Sequence, residues 1–346
     1  MTLDRTTHAH SHAASPLRRI EAILPGFTLV VTVTAAAYGL RQVPGLSGLS
    51  PMISAIFIGI AFASFTTVPA AAKPGVAFFG KGMLRLAIVL LGFQLTLGQL
   101  GEVGLARMLG ICALVATTFL ATLGLGRLLG VNPGLARLLA AGTSICGASA
   151  IAAANAVRRT DDEDVAYAVA CITVFGTLAM MAYPVLGQMA ELSPVDYGFW
   201  AGSSIHEVAQ VVAAGFQHGD VAGEQSVVVK LSRVVLLAPL LIAMSAFSAN
   251  RAADVAGRMA FSQIVPTFVV GFVACMVINT FGIVPAQLKA LIVEVTPIML
   301  AAALGALGLG THFGAVRARG MRPLLLAALA SVFISAASFL LLRTIL

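Results

Sequence analysis

The sequence predicts an all-α polytopic membrane protein with about 10–11 membrane segments, built as inverted repeats with two discontinuous or re-entrant helices. Three observations predict it. Of 346 residues, 59% are hydrophobic and 10% charged, whereas soluble domains run near 45–50% apolar and about 25% charged. The apolar residues gather into runs close to the roughly 20 residues that a spanning helix needs. Two near-copies of one short motif lie inside such runs: Ala141-Gly142-Thr143-Ser144-Ile145-Cys146-Gly147-Ala148-Ser149-Ala150 and Ala201-Gly202-Ser203-Ser204-Ile205-His206-Glu207-Val208-Ala209-Gln210. Small and hydroxyl residues clustered at membrane depth permit close backbone approach and supply hydrogen-bond partners where water is absent. A repeated pair of interruptions is how secondary transporters commonly build a midplane site.

Residues 1–20 are polar and read as a disordered cytoplasmic tail; residues 21–346 read as a single integral membrane transporter domain. His8, His10 and His12 alternate in the tail, but no Cys or carboxylate cluster completes a metal site there, so neither metal nor cofactor is expected. Arg18 and Arg19 precede the first apolar run, 23–40, which is long for a signal-peptide core and reads as an uncleaved span. Ten further segments follow at about 51–67, 82–100, 105–126, 134–156, 164–188, 194–217, 225–248, 264–284, 286–310 and 322–345. Cys112, Cys146, Cys171 and Cys275 fall in apolar stretches without ligand spacing and read as small buried hydrophobes.

Orientation follows the Lys and Arg bias of the connections. With the N-terminus cytoplasmic and every segment crossing, twelve basic residues lie inside: Arg5, Arg18, Arg19, Lys73, Lys81, Arg127, Arg137, Arg251, Arg258, Arg317, Arg319 and Arg322. Six lie outside: Arg41, Arg107, Arg158, Arg159, Lys289 and Arg343. If the fifth and seventh segments re-enter as hairpins, Arg158 and Arg159 return inside and the count becomes fourteen to four. The two motifs then approach from opposite faces. Broken but crossing helices remain the alternative, because about 24 residues is short for two arms. A second echo pairs Leu91-Gly92, Leu97-Gly98 and Leu100 with Leu307-Gly308, Phe313-Gly314 and Val316, on oppositely directed segments.

Ionisable groups inside spans cost about 2.5–3.5 kcal/mol each and need a reason to be there. Arg85 reads as snorkelling from a cytoplasmic helix start. Glu294 reads either as the partner of a buried base or as an interfacial group near Lys289. Glu207 shares a helical face with Ser203 and Gln210. His206, Glu207 and Gln210 are therefore the candidates for ion coupling, the competing reading being an ion pair of Glu207 with Lys230 or Arg233. Half-helix N-termini expected at each motif offer free N–H groups and positive dipole ends. Thr143, Ser144, Ser149, Ser203 and Ser204, with Cys146 and Gly147 at the first break, would surround a small oxyanion. Lys230 and Arg233, three residues apart, would balance its charge.

No enzyme constellation survives: there is no G-x-S-x-G elbow beside Ser144 or His206, and no Walker-type phosphate loop. Asp161-Asp162-Glu163-Asp164 reads as a helix start capped by Thr160 or Asp161. The net charge of +7 is scattered through short connections, a pattern of membrane orientation and not of nucleic-acid binding.

Residues 141–151, Trp200-Ala201-Gly202-Ser203-Ser204-Ile205-His206-Glu207-Val208-Ala209-Gln210-Val211-Val212-Ala213-Ala214-Gly215 and Val228-Val229-Lys230-Leu231-Ser232-Arg233-Val234 resemble the YeiH-type family of bacterial inner-membrane proteins, described as sulfate exporters. The resemblance runs from about residue 25 to the C-terminus and excludes the histidine-bearing tail. It implies kinship with the wider group of bile-acid symporters and sodium/proton antiporters, and hence inverted repeats, discontinuous helices near the midplane and a mobile core against a scaffold. The expected function is secondary active export of a small inorganic or organic anion, sulfate or a related oxyanion or sulfonate, coupled to H+ or Na+. The expected location is the bacterial inner membrane, with the lipid bilayer as partner and a homodimer admitted. A cation/proton antiporter using Glu207 is the alternative, and a non-transporting membrane receptor or scaffold is a third.

Overall fold

The computed structural model describes residues 16–43, 50–98, 104–246, 267–310 and 320–345, and all the regular structure in them is helical. The tail with its three histidines falls outside these residues. So do Arg251, Arg258, Arg317, Arg319, Leu100 and the Phe313-Gly314-Val316 half of the second echo.

Helix α1 covers Pro16–Leu40 and α2 covers Pro51–Phe65, the latter opened by Ser50, whose side chain accepts from Met52 N, with proline at the first helical position. The next rod, α3, runs continuously over Ala70–Gln94, with a π-helical stretch at Phe78–Met83. It starts well before the expected segment at residue 82. Lys73 and Lys81 therefore lie on this helix and not in a connection, and Arg85 lies well inside it. All three are exposed, so the lysine charges that ended the apolar run do not end the helix, for which lysine is a good former. Then come α4 (Gly104–Leu128), α5 (Pro133–Ser144), α6 (Ala148–Val157), α7 (Asp162–Met189), α8 (Pro194–Ser204), α9 (Val208–Gln217), α10 (Asp220–Val235), α11 (Leu237–Ala246), α12 (Thr267–Thr280), α13 (Ala286–Leu309) and α14 (Met321–Ile345). Among the described residues, seven rods are long and apolar enough to cross a membrane: Ala22–Leu40, Ala70–Gln94, Gly104–Leu128, Asp162–Met189, Asp220–Met244, Ala286–Leu309 and Met321–Thr344.

The described helices pack as two bodies. One is a panel of α1, α2, α3, α12 and α13. Its helices touch backbone to backbone through small residues, the membrane substitute for a hydrophobic driving force. A Cβ on Gly59 of α2 would strike Gly305 O of α13 and lie 2.9 Å from Leu309 N. The other body, the core, contains α4 through α11 and α14. Among the described helices, α2 against α9 is the principal pairing between the two, and Ser50 N donates to Gln217 Oε1 at 2.6 Å there.

Within the core, each motif segment folds back on itself as a helix-break-helix hairpin. Asn132 caps α5 by accepting from Gly134 N at 2.7 Å. A Cβ on Gly134 would lie 2.7 Å from Thr160 Cγ2, so the start of α5 and the residue just beyond α6 stand side by side. In the second hairpin, Tyr197 in the first turn of α8 stacks on His218 just past α9, ring centroids 4.0 Å apart, and donates to Ala214 O at 3.1 Å. Helix α7 joins the two bases. Asp161 is its N-cap and Asp162, Glu163 and Asp164 fill its first turn, as the acidic run predicts. Its 28 residues span about 42 Å, from Thr160 at the first base to Gly187, which packs on the Tyr197 ring at the second. The hairpins thus enter from opposite ends of α7 and meet beside its middle.

Candidate functional site

Each hairpin is a helix that stops and restarts, so its tip holds one C-terminus and one N-terminus. The last carbonyls of a helix have no intrahelical donor and carry the negative end of its dipole. At the end of α5 these are Thr143, Ser144 and Ile145; at the end of α8 they include Gly202, Ile205 and His206. Helix α10 packs against both arms of the second hairpin and supplies two cations, one turn apart. Lys230 Nζ donates to Ile145 O at 2.9 Å, Ile205 O at 2.7 Å and His206 O. Arg233 donates to Thr143 O and Ser144 O at 2.8 Å, to Ile205 O at 3.2 Å and to Gly202 O at 3.4 Å. Six carbonyls, three from each tip, are thereby satisfied by two side chains that are fully buried.

The opposite ends, the N-termini of α6 and α9, point free N–H groups at one carboxylate. Glu207 is the N-cap of α9: its side chain accepts from Gln210 N, and Gln210 Oε1 accepts from Glu207 N at 3.1 Å, a reciprocal capping box. The same carboxylate takes the Ala148 N–H, the first of α6. Gly147 makes that approach possible. Its φ is +72°, and a Cβ there would lie 2.6 Å from Glu207 Cγ. Cations therefore sit at the two C-termini and an anion bridges the two N-termini, the arrangement helix dipoles favour.

Gln210 is held by α7. Its amide donates to Thr173 O at 3.1 Å, and any side chain at Gly176 would occupy its place. The remaining hydroxyls are partly spent locally. Ser144 returns to Ala140 O at 2.7 Å, and Ser203 bonds to Phe199 O and, at 2.5 Å, to Ser338 Oγ. Ser204 bonds to Trp200 O and accepts from Tyr183 OH at 2.9 Å. His206 Nε2 meets Ser331 Oγ at 3.0 Å. Of the buried side-chain polar atoms without a hydrogen-bond partner among the described residues, two belong to the tips: Thr143 Oγ1 and His206 Nδ1.

Thr143, Ser144, Ser203, Ser204, His206, Lys230 and Arg233 are each at most 1% exposed. The opening lies on the N-terminal side, where Ala148, Glu207 and Val208 are half-buried and Ser149 is exposed. Ser149 Oγ lies 2.8 Å from Cys146 Sγ. The geometry brings all twelve expected residues of the two motifs and α10 around the paired tips, in two layers: a closed cationic layer and a half-open anionic one. Glu294 stands apart, exposed on α13. The sequence reading missed Tyr183, Thr173, Gly176 and the Ser331, Ser335, Ser338 stripe of α14, whose i, i+4, i+7 spacing was the available signal.

Gly147→Ala is expected to lower the melting temperature of the purified protein by several degrees. A non-glycine residue at this backbone conformation costs about 1–3 kcal/mol, and the new Cβ pushes Glu207 from the α6 N-terminus. An unchanged melting temperature would refute the packing described.

These features define a class: an integral membrane protein whose core carries two opposed helical hairpins with a charged, half-open site at their tips. The family described as Conserved hypothetical protein 698 matches residues 25–327. The chain is 38% identical over 326 residues to a UPF0324 membrane protein of Pseudomonas aeruginosa, covering 91% of this chain and 92% of that one. It is 34% identical to a UPF0324 membrane protein of Agrobacterium fabrum, covering 96% of each, and 34% identical to the UPF0324 inner membrane protein YeiH of Salmonella typhi, covering 88% and 89%. The chain belongs to this UPF0324 membrane-protein family.

Proposed function

We propose that this protein is a secondary active transporter of the bacterial inner membrane that exports a small anion, sulfate or a related oxyanion or sulfonate, coupled to a proton or sodium gradient. The observation that carries the proposal is the meeting of two half-helix N-termini at a half-open point reached by hairpins from opposite ends of α7. Half-helix ends at the midplane are how transporters bind substrate without a wet pocket, and N-termini favour anions. The division into panel and core, joined chiefly by α2 and α9, supports alternating access by movement of the core past the panel. Arg137 and Arg158 approach one another at the base of the first hairpin, and Arg322 lies near Gly130 there. That concentration of positive charge supports a cytoplasmic position for this base and for the N-terminus. An interior-negative potential, worth about 2.3 kcal/mol per charge per 100 mV, drives an anion outward.

Purified protein in liposomes is expected to carry labelled sulfate or a short alkyl sulfonate, with flux that responds to an imposed proton or sodium gradient. Absence of flux for every anion tried would overturn the transport reading. Flux indifferent to both gradients would overturn the coupling.

A further inference from the structure

Resting on that reading, we infer that the Glu207 carboxylate is a tethered stand-in for the transported anion: it occupies the paired N-termini of α6 and α9 until a proton neutralises it, and a free oxyanion then takes its place. The carboxylate is bound as a ligand would be. Its partners are backbone N–H groups of two separate helices, Ala148 and Gln210, and it closes against the bare Cα of Gly147. It is not held by the nearby cations. All three Lys230 bonds go to carbonyl oxygens, which a nitrogen can serve only as an ammonium, and the Arg233 N–H groups go to carbonyls as well.

A second observation points to an absent ligand. Thr143 Oγ1, in the last turn of α5 at the first tip, is a fully buried hydroxyl with no hydrogen-bond partner among the described residues, a donor left for an anion. His206 Nδ1 has no part in this: Ser331 Oγ gives its proton to Ala327 O, so His206 Nε2 donates to Ser331 and Nδ1 keeps only an acceptor lone pair.

Charge counting favours a divalent occupant. With Glu207 ionised, the Lys230 and Arg233 charges leave the cluster at a net +1; with Glu207 protonated it stands at +2. A dianion such as sulfate then restores neutrality in a low-dielectric site, where uncompensated charge is costly. The other titratable groups facing Glu207 are His206 on its own hairpin and Cys146 on the other. Tyr183 of α7 is bonded to Ser204, and α14 presents the neutral Ser331. The step is a simple exchange: one proton from the compartment facing the opening forms the carboxylic acid, the acid leaves the N–H groups, and one anion from the same compartment binds them. Each anion thus travels with one proton.

The test is sulfate binding by thermal shift, and sulfate flux in liposomes, between pH 5 and 8 for wild type, Glu207→Gln and Glu207→Ala. In the wild type, apparent sulfate affinity is expected to weaken about tenfold per pH unit wherever the carboxyl is ionised, since one proton is then taken up per anion bound. In both variants it should be independent of pH, and sulfate flux should no longer carry protons. Methanesulfonate should bind more weakly than sulfate at low pH; equal binding would overturn the divalent assignment. Wild-type sulfate flux with pH-independent affinity would overturn the tether and leave transport standing. A wild type and variants that neither bind nor carry any anion would overturn both readings.

Discussion

Lys230→Met is expected to lower the melting temperature of the detergent-purified protein by about 4 °C, and to abolish transport. The side chain is fully buried and its only recorded bonds are to Ile145, Ile205 and His206 carbonyls. Methionine fills the space and removes every donor. Each buried carbonyl left without a partner costs about 1–3 kcal/mol, offset in part because no ammonium is buried. A net loss of about 3 kcal/mol, over an unfolding entropy of about 0.7 kcal/mol/K for 346 residues, gives a shift of about 4 °C. Arg233→Lys should also destabilise, although it keeps the charge. A planar guanidinium fans out to four carbonyls on two hairpins, whereas an ammonium offers three donors from one point. If Arg233→Lys melts like wild type while Lys230→Met does not, charge alone holds the tips and the fan geometry is irrelevant. If both melt like wild type, the two cations are not structural, and the division of the site into a closed and an open layer fails.

Much of this site was legible in the sequence because membrane insertion makes polar residues informative. Lys230, Arg233, His206 and Glu207 stood out as charges that must be compensated, and the Arg158-Arg159 misfit pointed to segments that fold back as hairpins. What stayed hidden was which group each charge answers. The pairing of Glu207 with Lys230 or Arg233 was the competing expectation, since opposite charges in neighbouring apolar segments are visible in a string. The actual compensators are backbone carbonyls and amides at helix ends, which every residue carries and no sequence displays. The same limit explains α3. A hydropathy window stops at Lys73 and Lys81, but the helix continues through them because their face is exposed. The contacts of Ser331 and Ser338 with the second hairpin depend on α14 returning to the core after more than a hundred intervening residues. Only the three-dimensional path reveals that return.

Locking the core to the panel is expected to stop transport entirely while leaving the site able to bind. Ser50 at the start of α2 and Gln217 at the end of α9 face one another across the principal junction between the two bodies. Cysteines at both positions, joined by a short bifunctional thiol reagent, would pin α9 and hence the second hairpin to the panel. Because Lys230 and Arg233 tie both tips together, pinning one hairpin pins the other. The cross-linked protein should show at least a hundredfold lower sulfate flux, a coupling loss of about 2.7 kcal/mol or more in the moving step, with thermal stabilisation by sulfate retained. A cleavable linker should restore flux on reduction, and Ser50→Cys alone should leave flux intact after the same treatment, which controls for the cysteines native to the chain. Full flux with the linker in place would mean that the hairpins open within a stationary core. In that case access must alternate at the N-terminal layer around Glu207 itself, where Ala148 and Val208 are only half-buried, and the panel would serve as a support instead of a track.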